Sequence, residues 1–312
     1  MQTLFFAVLL DWLFGEPPNA FHPVAWFGTF AQALERRAPR NDPRAELLYG
    51  GGIVASSAAL ATLSAGLIAR TLARLPNALA VTLGACALKL TFAWRALIGA
   101  GEDVRRDLET DTPDSARSDL RALVSRDTRT LDPSLLSAAA IESLAENASD
   151  SFIAPLFYFS ILGLPGACVY RAVNTLDAMI GYRGKYEYLG KIAARTDDVL
   201  NFIPARLTAL LLVVAARFTG GDARRAWATL HADHARTASP NAGYPMSAIA
   251  GALDVRLEKV GHYRLNETGR APQPSDIHRA AKIVSATLGL GAILALLAQI
   301  TRRKFVNLKS EI

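Results

Sequence analysis

Three long runs of apolar residues constrain the fold of this 312-residue chain more than any other feature. Gly51–Ala69 has no charged residue, Asn77–Trp94 has only Lys89, and Lys282–Ile300 is free of charge after its first residue. A membrane-spanning helix needs about 20 consecutive, mostly apolar residues. Frequent Ala, Gly and Ser in these runs permit close contact between helices. The runs therefore predict membrane spans near residues 51–69, 77–98 and 283–300.

The composition agrees with such a chain. Hydrophobic residues make up 51%, charged residues only 20%, and the mean hydropathy is +0.20. No run alternates polar and apolar residues as a half-buried strand does. We therefore predict an all-α, polytopic integral membrane protein with a single membrane-embedded catalytic domain over residues 1–312. The alternative is a soluble protein with three buried helices, in which charge-free runs of this length are uncommon.

Three shorter apolar runs are interpreted as re-entrant or buried helices near residues 1–14, 152–170 and 204–218. The first resembles a secretion signal, but it lacks a basic leader and a small-residue cleavage site. The second is interrupted at Gly163–Gly166, and the core of the third, Leu207–Ala216, is short for a full crossing. Broken helices are tolerated at membrane depth where protein buries them. The polar segments 100–150, 171–203 and 219–281 can then meet on one side of the membrane.

The formal net charge is +6. Lys and Arg mark cytoplasmic loops in membrane proteins, and an anionic substrate is the other explanation of the excess. No basic run is interleaved with aromatic residues, so a nucleic-acid partner is not expected. We expect a multi-pass protein of the cell inner membrane with its active site on the cytoplasmic side. The cysteines, Cys86 and Cys168, lie in apolar runs and are expected to be small core residues.

Carboxylates border one apolar run in the sequence ESLAENASD. On a helix, Glu142, Glu146 and Asp150 fall at i, i+4 and i+8 and form one stripe, with Asn147 about 100° away from Glu146. Like charges at this spacing repel, so a helix needs a reason to keep them. A cation or a substrate is one reason, and a solvated helix face is the alternative.

A second polar cluster lies between Tyr170 and Ala209. Asn174 and Asp177 are spaced i, i+3, while Asp197, Asp198 and Asn201 are spaced i, i+1 and i+4. Oxygen ligands of this kind suit Mg²⁺, which is often held by one or two carboxylates plus phosphate oxygens. The interleaved cations are Arg171, Arg183, Lys185, Lys191, Arg195 and Arg206. Carboxylates beside cations are typical of nucleotide chemistry; an ion-pair network beside a membrane is the alternative.

The third polar cluster begins with SPNAGYP, at Ser239–Pro245, which predicts a rigid turn whose backbone N–H groups can face an anion. A turn without a ligand is the alternative. The chain has no Walker loop, no GxSxG and no HExxH motif. His231 and His234 have a spacing that can bind metal, but this spacing is common on helix surfaces.

These residues resemble the cobalamin-biosynthesis membrane family often called CobD/CbiB, over nearly the whole chain. The matching motifs, in order, are DWLFGEPPNAFHPVAWFG (11–28), AENASDSFIAPLFY (145–158), YRAVNTLDAMIGY (170–182), ARTDDVLNFIPARLTA (194–209) and SPNAGYPMSAIAGALDVRLEK (239–259), followed by GHYRLN. Departures from the family pattern are Glu16 for Asp, Ala148-Ser149 near a usual Thr, and Tyr244 for Trp. None of them removes a predicted ligand.

The resemblance implies an ATP- and Mg²⁺-dependent acid–amine ligase. Its reaction joins the propionate carboxylate of cobyric acid, a corrinoid, to aminopropanol or aminopropanol O-phosphate. A carboxylate is a poor electrophile, so phosphorylation to an acyl phosphate makes attack by the amine feasible. Such an enzyme needs cationic clamps, a metal and a base.

The resemblance also implies roles for particular residues. Mg²⁺ is expected on Asp177, Asp197 and Asp198, assisted by Asn174 and Asn201. Phosphate contacts are expected from Arg171, Lys185, Arg195 and Arg206. Glu142 or Glu146 is expected to receive the amine, with Asn147 and Asp150 positioning it or adding a metal ligand. Substrate contacts are expected from His22, Ser239, Asn241 and Tyr263, although His22-Pro23 also suits a structural turn. The remaining partners are membrane lipid and, as further options, a second copy and later membrane enzymes of the pathway.

Two other functions remain open at this point. A non-enzymatic membrane sensor of the same fold is the main alternative, because fold alone does not determine function. The intact polar clusters favour the enzyme. A transporter is a third option, since charges near broken helices can mark ion paths. Against it, most charges lie in the polar segments, and no inverted repeat is visible.

Overall fold

A computed structural model describes residues 1–40, 42–110, 112–121, 123–124 and 128–310. The described chain is helical apart from one short hairpin, which confirms the predicted all-α class. The helices are α1 (Gln2–Phe14), a 3₁₀ turn (Asn19–Phe21), α2 (Pro23–Glu35), α3 (Pro43–Leu72), α4 (Asn77–Lys89), α5 (Arg95–Glu109), α6 (Pro113–Leu120), α7 (Pro133–Ala148), a π-helix (Ser149–Ile153), α8 (Ala154–Leu162), α9 (Leu164–Ile180), α10 (Lys191–Leu200), α11 (Phe202–Phe218), α12 (Ala223–Asp233), α13 (Gly243–Leu253) and α14 (Pro274–Ser310). The hairpin pairs β1 (Leu257–Lys259) with β2 (Tyr263–Leu265), antiparallel. Its three-residue strands are too short to produce an alternating pattern. Positions 111, 122 and 125–127 of the polar segment 100–150 lie outside the described residues.

Several helices begin where the sequence supplies a polar cap followed by proline. The Asp132 carboxylate accepts a hydrogen bond from Leu135 N at 2.8 Å, with Pro133 opening α7, which confirms the predicted helix start. Asp42 accepts from Arg44 N at 2.9 Å at the start of α3. A cap satisfies backbone donors that the first turn leaves unpaired, and proline lacks the N–H that would be unpaired there.

Three helical segments are long and apolar enough to cross a membrane: Pro43–Leu72, Lys191–Phe218 and Pro274–Thr301. The first and third contain the expected spans 51–69 and 283–300. The expected span 77–98 is divided, because α4 ends at Lys89 and α5 begins at Arg95.

One further apolar run differs from expectation, and another is interrupted at the expected break. Residues 204–218, expected to be re-entrant or buried, lie inside the continuous segment Lys191–Phe218. The run 152–170 is divided at Gly163, whose φ of 71° favours glycine and ends α8 before α9 begins.

The chain forms two compact units, each built from separate stretches of sequence. Unit 1 comprises Met1–Ala93, Ala154–Asn201 and the chain from Leu294 onward. In it, α3 packs along α9, α1 packs on α4, and α8 packs on α9. A buried cluster that includes Ile53, Leu176, Ile180 and Leu189 forms part of its core.

Unit 2 comprises Trp94–Ile153 and Phe202–Ile293. Helix α13 is almost wholly buried and packs against α7, α11 and α12. Close approach of α12 and α13 depends on Gly251, where an added Cβ would lie 2.5 Å from the Arg225 carbonyl oxygen. Small residues at such contacts allow two helix backbones to approach each other closely.

The contact of α3 with the segment before α10 predicts a stability difference between two neighbouring glycines. A Cβ at Gly50 would lie 2.0 Å from the Leu189 carbonyl oxygen, whereas a Cβ at Gly52 meets nothing within 4 Å. Gly50→Ala is expected to lower the free energy of unfolding by about 1–3 kcal/mol through overpacking. Gly52→Ala should be neutral or stabilising, because alanine favours helix by about 1 kcal/mol over glycine. Thermal unfolding in detergent measures both, and equal midpoints would contradict the expectation.

Candidate functional site

The predicted metal ligands of unit 1 form a hydrogen-bonded group around Asp197. This buried carboxylate accepts from Asn174 Nδ2 at 3.3 Å through Oδ1 and from Asn201 Nδ2 at 2.9 Å through Oδ2. The Tyr170 hydroxyl donates to Asn201 Oδ1 at 2.8 Å. Tyr158 stacks on Tyr170 with ring centres 5.3 Å apart. The structure thus brings together three predicted ligands and adds a tyrosine that sequence reasoning missed.

Asp198 lies beside this group on α10 and is half-buried, with Arg195 NH1 3.6 Å from its Oδ2. Asp177 belongs to the last turn of α9, where its backbone carbonyl accepts from Gly181 N. Among the described residues, no group of three or more His, Cys, Asp or Glu side chains could hold a metal ion. Mg²⁺ is often held by only one or two carboxylates plus phosphate oxygens and waters, so the donor set suits a nucleotide-bound ion. The Mg²⁺ site stays a prediction.

The cations of unit 1 that are predicted to contact phosphate differ in their partners and exposure. Arg195 pairs with Asp198, as described above. Lys185 is exposed, donates to the Tyr186 hydroxyl at 2.8 Å and lies 3.7 Å from Glu35. The hydrogen bond to Tyr186, aided by the charge of Glu35, raises the pKa of Lys185. Arg171 lines an apolar groove of the same unit.

His22 is the N-cap residue of α2, and it lies at the end of a series of contacting charged side chains in unit 1. Its Nδ1 accepts from Val24 N at 3.1 Å, so Nε2 carries the proton and donates to Glu16 at 2.8 Å. The other Glu16 oxygen accepts from Lys89 at 2.5 Å, and Lys89 also pairs with Asp11 at 3.0 Å. Asp11 and Lys89 are buried. This arrangement explains why Lys89 is tolerated in an apolar helix, and it gives His22 a structural role as a cap.

The carboxylates of α7 line a small cavity in unit 2, here named the α7 pocket. Its volume is about 120 Å³, and its polar lining consists of Glu142, Glu146, Ser143, Lys259 and Tyr263. Leu123, Val124 and Ala139 form the apolar part of the wall. Glu142 is buried and Glu146 is half-buried. The predicted residues Glu142, Glu146 and Tyr263 therefore share one cavity.

Asn147 and Asp150 follow the two glutamates but differ from them in local structure. Asn147 Nδ2 donates to the Ser143 carbonyl and hydroxyl oxygens, both at 3.0 Å. Asp150 lies in the π-helix Ser149–Ile153. Each residue of a π-helix turns the chain by less than the 100° of an α-helix, so Asp150 lies no further from the stripe of Glu142 than in an uninterrupted α-helix. Short π-helices are frequent at functional sites.

A larger, open cavity adjoins the α7 pocket, and we name it the hairpin pocket. It has a volume of about 440 Å³ and shares Lys259 and Tyr263 with the α7 pocket. Its other lining residues are Arg236, Glu258, Gly261, His262 and Arg264. Arg236 pairs with Asp233 at 3.0 Å, and Arg264 pairs with Glu258 at 2.8 Å. Lys259 forms no ion pair within the part of the chain that the structure describes.

Sequence reasoning missed Lys259 and the cations of the hairpin pocket. Their signal is a short polar stretch with basic residues on both sides of a Gly261 turn, within the motif that includes GHYRLN. The φ of Gly261 is 76°, which glycine adopts without strain. Because each strand has only three residues, the sequence shows no alternating pattern that would place these side chains on one surface.

The predicted turn at Ser239 belongs to unit 2, and residues of this turn contact the Arg206 side chain. Ser239 Oγ accepts from the backbone N–H groups of Asn241 and Ala242, each at 3.2 Å, so these donors are already engaged. Asn241 Oδ1 accepts from Arg206 at 3.2 Å. The Arg206 guanidinium lies 3.6 Å from the Phe202 ring centre and 4.1 Å from that of Tyr244. Stacking of this kind holds the planar cation in place.

The predicted sites fall into two sets. Asn174, Asp177, Asp197, Asp198 and Asn201 belong to unit 1, and the carboxylates of α7 belong to unit 2.

The two neighbouring aspartates of α10 are expected to differ in their effect on stability. Asp197→Asn replaces a carboxylate oxygen with an NH₂ group that faces an amide donor, so it should lower the free energy of unfolding by about 1–3 kcal/mol. Asp198→Asn is the matched control and should leave the unfolding midpoint almost unchanged, because Asp198 is more exposed. Thermal unfolding in detergent without nucleotide tests this. Equal destabilisation by both variants would contradict the role of the Asp197 group.

Comparison with known proteins identifies the family. The sequence profile described as CobD/Cbib protein matches residues 4–284. The cobalamin biosynthesis protein CobD of Dehalococcoides mccartyi is 46% identical over 271 residues, which cover 87% of this chain and 88% of that protein. A probable cobalamin biosynthesis protein CobD of Pyrococcus furiosus is 43% identical over 285 residues, 90% and 93% of the two chains. No solved structure matches. The chain therefore belongs to the CobD/CbiB family.

Proposed function

We propose that this protein is an ATP- and Mg²⁺-dependent amide ligase of cobalamin biosynthesis, which joins the propionate carboxylate of cobyric acid to aminopropanol O-phosphate. Membership of the CobD/CbiB family supports a role in cobalamin biosynthesis, as the names of the relatives state for those proteins. The observation that carries the choice of reaction is the α7 pocket, in which two glutamates and a lysine line one small cavity.

The α7 pocket suits the amine end of the substrate. An amine arrives as an ammonium ion at neutral pH, and carboxylates attract that charge. Before the nitrogen can attack, it must lose a proton, and a carboxylate within reach can accept it. Glu142 and Glu146 line the same cavity, so one glutamate can hold the ammonium while the other accepts the proton. The apolar wall provides room for a short alkyl chain.

The hairpin pocket favours the phosphorylated amine over the free amine. Lys259 lines both cavities, so an ammonium at the glutamates can have an anionic group of the same small molecule beside the lysine. Arg236 and Arg264 increase the positive potential nearby, although each also pairs with a carboxylate. Lysine binds phosphate as a point charge. The uncharged hydroxyl of free aminopropanol would interact only weakly with Lys259.

The proposed reaction needs ATP because a carboxylate is too poor an electrophile for an amine to attack directly. The propionate oxygen attacks the γ-phosphorus, ADP leaves, and an acyl phosphate forms. The ammonium group passes one proton to a carboxylate, the amine nitrogen then attacks the acyl carbon, and inorganic phosphate leaves with the second proton as the amide forms. Bound Mg²⁺ would neutralise phosphate charge, and the adjacent Asp197 and Asp198 of α10 would hold it together with phosphate oxygens. In this proposal the Asn174 and Asn201 amides keep the Asp197 carboxylate oriented.

The first test concerns the shared lysine. The purified full chain is incubated with cobyric acid, ATP, Mg²⁺ and either aminopropanol or its phosphate, and mass spectrometry measures the adduct. Wild type should form the amide with the phosphorylated amine. Lys259→Met should raise the KM for that amine about 10- to 100-fold, since a hydrogen bond to a charged group contributes about 1.5–3 kcal/mol.

Lys282→Met is the matched control, because Lys282 is exposed on α14 and lines neither pocket. It should leave the KM unchanged. An equal effect of Lys259→Met on the free and the phosphorylated amine would refute the assignment of the phosphate. No adduct with either amine in wild type would refute the ligase itself.

The second test concerns the metal. Asp198→Asn removes one charge from a half-buried carboxylate on α10. With ATP and cobyric acid saturating, turnover should fall at least about tenfold, and the Mg²⁺ concentration for half-maximal rate should rise. Near-wild-type turnover with an unchanged Mg²⁺ dependence would remove Asp198 from the metal role. The stability measurement above shows whether the variant is folded.

A further inference from the structure

A large apolar groove in unit 1 is not used by the proposed reaction. Its volume is about 470 Å³, within the range of small-molecule sites of about 300–1,000 Å³. Helices α2, α3, α4 and α9 contribute its walls. The lining includes Trp26, Phe30, Leu60, Ile68 and Leu164. We propose that this groove, here named the unit 1 groove, binds one acyl chain of a membrane phospholipid.

The position of the unit 1 groove on α3 indicates hydrocarbon as its surroundings. Pro43–Leu72 is a candidate membrane span, and the groove is lined by residues of its C-terminal half, from Leu60 to Ile68. On the same stretch of helix, Leu63 and Leu67 are 72% and 66% exposed, so the outer face of α3 is apolar and uncovered. A bilayer covers such a face, and its chains can enter an apolar groove that is continuous with it.

The hydroxyl groups in the lining support an apolar occupant. Ser64 donates to the Leu60 carbonyl, and Thr91 donates to the Leu88 carbonyl, both at 2.7 Å. Thr175 donates to the Arg171 carbonyl at 2.7 Å. These donors are already satisfied within their own segments, so a ligand does not need to supply acceptors for them. Apart from the Arg171 guanidinium, the lining offers water few of the two to four polar partners that a buried water molecule needs.

Aromatic residues on α2 support a location near the lipid–water boundary. Trp26 is 58% exposed, and its indole N–H donates to the Ala20 carbonyl at 2.9 Å, so its polar edge is satisfied inside the protein. Phe21 and Phe30 are also exposed. Tryptophan is enriched where membrane hydrocarbon meets the headgroups. The headgroup of the bound phospholipid would then lie near α2, and its acyl chain would occupy the unit 1 groove.

The test is lipid retention measured by native mass spectrometry. The full chain is purified in detergent, stripped of lipid, and mixed with vesicles of phosphatidylethanolamine and phosphatidylglycerol before transfer back to detergent. Wild type should retain one phospholipid per chain. Ser64→Phe, which fills the groove from α3, and Ala87→Phe, which fills it from α4, should lose it. Leu63→Phe, next to Ser64 but outside the lining, should keep it.

A second measurement uses the thiol in the lining. Cys168 lines the unit 1 groove, whereas Cys86 is exposed on α4. In Cys86→Ser protein, phospholipid should slow alkylation of Cys168 by N-ethylmaleimide at least about tenfold. In Cys168→Ser protein, alkylation of Cys86 should not change. Equal lipid retention by Ser64→Phe and Leu63→Phe would overturn the proposal. So would protection of Cys168 by cobyric acid or by dimer formation without lipid.

Discussion

A polar group on an apolar helix must find its partner inside the protein, because neither hydrocarbon nor a dry core replaces water as a hydrogen-bonding medium. This constraint organises unit 1 of the CobD/CbiB protein described here. The Asp197 carboxylate has an amide donor on each oxygen, and a tyrosine hydroxyl orients one of these amides. Lys89 has two carboxylates, one of which is oriented by a histidine that itself caps a helix. In both cases the charged residue connects neighbouring helices, α10 with α9 and α4 with α1.

The same constraint connects structure with chemistry in unit 2. Glu142 is buried on α7, and its pocket contains a lysine and a tyrosine from the β-hairpin. A buried carboxylate beside a cation can bind a charged substrate without first giving up a full shell of water. Such preorganised groups stabilise charge that develops during a reaction better than solvent does. These properties are the basis on which we propose acyl transfer to an amine at this cavity.

Local sequence patterns predicted the parts of the structure that depend on local physics. Asp132 before Pro133 marked a helix start, because capping involves only neighbouring residues. The long runs in α3 and α14 predicted candidate spans, because length and hydropathy are properties of one segment. The apolar run that begins at Asn77 misled the same reasoning, since a hydropathy window averages over Lys89 and ignores its buried partners. Lys259 could not be assigned to the glutamates of α7, because a contact between distant segments has no local signature.

The stripe of carboxylates shows a subtler limit. Counting in steps of four from Glu142 assumes an uninterrupted α-helix, and the count holds for Glu146. At Asp150 the backbone changes to a π-helix, which the count does not take into account. Nothing in SDSFI indicates this change, because π-helices are rare and depend on packing around them. Spacing therefore predicts shared faces only as far as the backbone conformation persists.

The pairing of Asp11 with Lys89 also affects how the chain is made. Helix α1 precedes α3 and α4 in the chain, so the ammonium that pairs with its carboxylate is synthesised only after α3 has been completed. Until then Asp11 has to stay hydrated, which opposes deep entry of α1 into lipid. The ion pair between α1 and α4 can therefore form only once α4 has been synthesised.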